Sequence, residues 1–262
     1  MAAVALGGLA AVSAAEKDKT APALSADDRK LAEENQVLPL PGEVLAVMKA
    51  QTAADWASAA KEALGMPAPE GKTDSAQAAA RLGIRVADAF LAIQSKNQPL
   101  MEKCAGEILD AAAKLGASKE VLSSGEKIRD LAAAGKWNEI VPLLDSTYQG
   151  AVDAMEKLGD DESAAIAAAA GWLRGIQIYA GQLAAAYSED TSKALRQADL
   201  VTTVSGKVEA LPAAVKGKAP VAGYLAAFAK IKPLIDVGQD AAIGKDCVEQ
   251  IAAIAKAAVE GK

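Results

Sequence analysis

An all-α fold follows from three properties of this 262-residue chain. Alanine supplies roughly a quarter of it, and alanine loses no side-chain entropy when a helix forms. Val, Ile, Thr and aromatic residues never gather in alternating runs, and aromatics make up only 3% of the chain, so no strand pattern is present. Leu-Gly pairs stand at Leu64-Gly65, Leu115-Gly116 and Leu158-Gly159, where the helical apolar period also ends. Glycine just past a helix accepts the left-handed conformation, and the preceding Leu is expected to pack beneath it. The expected architecture is a bundle of about eight or nine antiparallel helices, with an α-solenoid of helical hairpins as the alternative.

The first element is an address. Ala2 to Ala15 read AAVALGGLAAVSAA, an apolar run of signal-peptide length that is too short to span a bilayer. Val12-Ser13-Ala14 fits a small-x-small cleavage pattern, and Glu16-Lys17-Asp18-Lys19 turns polar at once. Residues 1–15 are therefore read as a signal peptide. No Lys or Arg precedes the run, which leaves a start further upstream or an Ala-rich tail as the other readings. Residues 16–42, with Pro22, Pro39 and Pro41, read as a polar linker with a short helical turn over 26–35. Residues 43–262 read as a single helical domain.

Nine helical segments are expected in that domain. The first covers 43–64; the second covers 74–96 with Thr73 as N-cap, kinked or split at Gly83. Pro99 opens the third, which Gly116 closes; Ser118 caps the fourth, which Gly135 closes. The fifth covers 137–158, with Pro142 expected to interrupt and bend its first turns. Its buried face is Ile140, Leu144, Tyr148, Val152, Met155 and Leu158. The sixth covers 160–187 and opens on Asp160-Asp161-Glu162, where acidic residues suit the helix dipole. Ser188 caps a seventh that runs to Leu211-Pro212, and the last two cover 220–237 and 239–260.

The sixth segment carries the candidate site. Between Ala164 and Tyr187 its one charge is Arg174, and that charge near the middle argues against a transmembrane span and for a helix enclosed by other helices. Trp172, Ile176, Tyr179, Leu183 and Tyr187 share one stripe, while Arg174 and Gln177 share the other face with Gly171, Gly175, Gly181 and Gln182. Gly171 and Gly175 form a small-xxx-small pair that admits a close neighbour. Arg174 then either receives an anionic ligand in a polar slot, with Trp172, Gln177 and Tyr179 as further ligand-binding residues, or it reaches the surface or a neighbouring carboxylate. Arg81, Arg85 and Asp88 read as a solvated charged face, the Arg85–Asp88 pair contributing a few tenths of a kcal/mol. Cys104 and Cys247 each lie on an apolar stripe and are either separate thiols or one disulfide between an early helix and the last.

Composition excludes much chemistry. With no histidine there is no Ser-His-Asp or Cys-His nucleophile pair and no His-ligated metal or haem, and two cysteines cannot build a Cys₄ site. A net charge of −6 without a basic cluster argues against nucleic acid. Neither a metal nor a cofactor is expected, and no catalytic residue is singled out.

Four short stretches add a resemblance. They are Leu82-Gly83-Ile84-Arg85-Val86-Ala87-Asp88-Ala89, Gly135-Lys136-Trp137, Gly171-Trp172-Leu173-Arg174-Gly175, and Tyr187-Ser188 with Leu195-Arg196-Gln197. Together they resemble uncharacterised exported all-helical proteins of bacteria, over about half of the chain, and imply no particular activity. Gly135-Lys136-Trp137 leading into Leu143-Leu144 is also similar to the junction between tetratricopeptide units. The Leu-Gly stops stand 51 and 43 residues apart, however, against that family's period of about 34. The expected function is a non-enzymatic periplasmic or secreted bacterial protein that serves as an interaction or structural module in the cell envelope. Its partner would be another envelope protein or itself, and the mature chain would have no transmembrane span. The alternative is a small-molecule carrier with an inter-helix pocket near Arg174.

Overall fold

The computed structural model describes residues 53–66, 74–117, 119–157, 160–238 and 241–262. The expected signal peptide (1–15), the linker (16–42) and the start of the first predicted helix (43–52) lie outside the described residues, as do Thr73, Ser118 and the Leu158-Gly159 pair.

Among the described residues every regular element is a helix. In chain order these are α1 (Trp56–Gly65), α2 (Ser75–Ser95), α3 (Gln98–Lys114), α4 (Lys119–Ala133), α5 (Trp137–Lys157), α6 (Asp161–Ala185), the single turn α7 (Glu189–Ser192) with a 3-10 turn over Lys193–Leu195, α8 (Ala198–Glu209), the short α9 (Ala213–Lys216), α10 (Val221–Ile235) and α11 (Lys245–Val259).

Side-chain caps decide several starts. Asp55 accepts from the Ser58 N–H at 2.9 Å, so α1 begins at Trp56 and the expected helix does not continue through 53–55. Asp74, one residue after the expected Thr73, accepts from the Gln77 N–H at 2.8 Å and opens α2. Asn97 does the same for α3, with Pro99 in the first turn, where its missing N–H has no consequence. Asp160 caps α6, and Asp161 and Glu162 fill the first turn as the dipole favours. At the other ends Gly116 and Gly135 take φ of +79° and +70°, the left-handed stop expected of them. Leu115 is buried beside its glycine, but Leu64 is 37% exposed; the end of α1 is held instead by the Lys103 ammonium, which donates to the carbonyls of Leu64 and Met66.

Three expected elements are corrected. α5 is continuous through Pro142, since the ring removes one N–H close to the helix start and the Asn138 it would have bonded is exposed to water. The seventh segment is not one helix: Ser188 caps only α7, and the chain leaves helical geometry at Arg196 and Gln197 before α8. The last helix starts at Lys245. Ile243 cannot belong to it, because its N–H donates to the Ser192 hydroxyl and its carbonyl accepts from the Tyr187 hydroxyl, both at 3.0 Å.

α2 and α6 form the centre. α2 is buried from Ala78 to Ile93 except for half-buried Arg81, and α6 is buried over most of its surface. These two helices make the most extensive contact of any pair, with α1 and α3 against α2, α4 and α5 continuing from α3, and α11, α8 and α10 closing around α6. α2 and α6 are separated in sequence by three helices, as α6 and α11 are by four. In a solenoid each hairpin touches only its neighbours, so the arrangement is a bundle wrapped around a central pair.

Glycine sets the spacing of that pair. A Cβ on Gly83 would overlap the carbonyl of Ala167 and come within 2.7 Å of the Gly171 nitrogen. Gly83 therefore does not split α2, which is one helix from Ser75 to Ser95; it admits the backbone of α6 at the level of Gly171. Gly175, the other member of the expected small-residue pair, has no neighbour among the described residues within 4 Å of its Cβ position. The contrast is testable by urea denaturation. Gly83→Leu is expected to lose at least the ~1–3 kcal/mol typical of overpacking, because the obstruction is backbone. Gly175→Ala is expected to be neutral or to gain up to about 1 kcal/mol from helix propensity.

Candidate functional site

The charged side chains of the core meet where α2, α3 and α6 converge. Arg85 and Asp88 stand one turn apart on α2 and are 1% and 0% exposed, which corrects the expectation of a solvated face. The reason is that α2 has helices on every side at this level, so no face of it is left for water. The Arg85 Nη1 donates to Asp88 Oδ2 at 2.8 Å, and its Nε donates to Glu107 Oε2 of α3 at 2.7 Å. Asp88 Oδ1 accepts from Arg174 Nε of α6, also at 2.7 Å. Arg174 is 3% exposed.

Charges alternate along the resulting chain, Glu107–Arg85–Asp88–Arg174, and sum to zero. Each bond is short and charge-assisted, the strong class of hydrogen bond. Glu107, whose side chain is 18% exposed, is the end nearest water. Burial opposes the positive charge of Arg85, but the hydrogen bond to Glu107 and the charge of Asp88 outweigh it and hold the guanidinium above its ordinary pKa. Arg174 also lies near Glu260 at the end of α11. That carboxyl is held below its usual range first by its hydrogen bond to Lys262, with Lys256 and Arg174 adding to the effect.

The other residues expected near Arg174 do not gather around it. Trp172 points to the far side of α6, where its indole N–H donates to Gln197 Oε1 at 3.3 Å and its ring lies 5.5 Å from that of Phe228. Tyr179, on the same stripe, donates to the Thr191 carbonyl at 3.3 Å. Gln177 is buried, and its Oε1 has no hydrogen-bond partner among the described residues. Of the two readings of Arg174, the geometry is that of a pair with a neighbouring carboxylate. Two small crevices flank Leu144 and Thr147 on α5, and neither is lined by Trp172, Arg174, Gln177 or Tyr179. Each has room for a body of about 20 Å³, enough for one water-sized body and far below a small-molecule site.

No family, characterised protein or solved structure matches this chain. The site therefore rests on its own geometry.

Cys104 and Cys247 are both free thiols. Cys104 is wholly buried beside Met101 and Ile108, and burial, followed by the charge of Asp88, pushes its pKa up. Among the described residues no group of three or more His, Cys, Asp or Glu side chains is placed to hold a metal ion. Nor is any described helix long and apolar enough to cross a membrane.

The sequence reading missed Glu107 and the partnership of Asp88 with Arg174. One signal was available: Arg85 and Asp88 are the only charges between Leu82 and Ile93, as Arg174 is the only one between Ala164 and Tyr187. Lone charges in the two most buried helices point to each other.

Asp88→Ala leaves two buried guanidiniums with one carboxylate between them, and is expected to lose ~3–5 kcal/mol in denaturant titration. Replacing the buried pair together, Asp88→Leu with Arg174→Met, is expected to recover a large part of that loss; no recovery would mean that the cost lies elsewhere than in uncompensated charge.

Alkaline titration probes the packing. Burial raises the Tyr179 hydroxyl to about 12 and also raises Tyr148 and Tyr224. A raised pKa contributes stability that is complete below the unfolded value, near 10, and is lost as pH rises through the folded value. Phenolate absorbance at those tyrosines is expected only in step with loss of helical circular dichroism, at pH above about 10.

With an aromatic disulfide reagent, Cys104 is expected to stay unreactive in the native protein, leaving half-buried Cys247 as the faster thiol. Two thiols should titrate in denaturant without reductant.

Proposed function

We propose that this chain is a non-enzymatic, exported helical protein that acts as an interaction or structural module of the bacterial cell envelope. Export is supported by the apolar run Ala2–Ala15 with its small-x-small ending, and by the resemblance of four short stretches to exported helical proteins. The observation that carries the functional reading is the closed pair between Arg174 and Asp88. The strongest anion-binding group of the central helix is already occupied, at 2.7 Å, by a carboxylate of its own chain. Around it the helices meet at backbone distance, at Gly83 and Gly171, so the body is built to be rigid and not to open around a ligand. Recognition is then assigned to the outer helices, and the partner is another envelope protein or a second copy.

Native mass spectrometry of the full chain, purified from a bacterial host with its export intact, tests the reading. The expected result is a mature chain that has lost its apolar run and that is found as a self-complex or a stable hetero-complex. A monomer that carries a small organic molecule would overturn the interaction reading in favour of a carrier. A cytoplasmic chain that retains the run would overturn export.

A further inference from the structure

We draw no further inference here: the strongest candidate, the pair of small apolar crevices that flank Leu144 and Thr147 between α2, α3 and α5, is lined almost wholly by close-packed aliphatic side chains, and nothing in the structure shows what would occupy it.

Discussion

One carboxylate joins the two central helices. Asp88 accepts from Arg174 across the α2–α6 contact and from Arg85 on its own helix, and it is fully buried while doing so. Removing a charge from water is expensive, and the expense is recovered only when geometry is short and every charged group has an opposite neighbour. The alternating order from Glu107 to Arg174 meets that condition. It also fixes register: a shift of α6 by one turn would leave Arg174 without its acceptor, and apolar alanine packing alone would penalise such a shift only weakly.

Composition and charge thus act together. Alanine and glycine let α2 and α6 approach until backbone meets backbone at Gly83 and Gly171. Small side chains bury little area each, so the apolar contribution per residue is modest and its directionality poor. The buried ions supply the directionality. Larger aliphatic groups, such as Leu91, Leu100, Leu173 and Leu183, are fully buried alongside them.

The fold class was legible because Ala-rich periodicity and left-handed glycine stops are local properties, and Gly116 and Gly135 adopt the conformation their positions imply. Boundaries were misread where a side chain from elsewhere competes for the backbone. Ile243 is drawn out of the last helix by Ser192 and Tyr187, and no local pattern announces those partners. Arg85 and Asp88 were read as a surface pair because spacing on one helix says nothing about how many neighbours that helix acquires. Trp172 and Arg174 were grouped although they lie two positions apart and so project from different sides of α6; helical geometry already separated them.

The docking of α11 on α6 has a temporal consequence. α6 is the second central helix, yet one of its sides is covered by α11, about sixty residues further along the chain, whose approach is held by Ile243 against Tyr187 and Ser192. During synthesis α6 emerges with that apolar side bare, and it stays bare until the ribosome has passed α11. The core therefore closes only after translation of α11, and any ribosome that stops before it releases a chain with one side of a central helix uncovered.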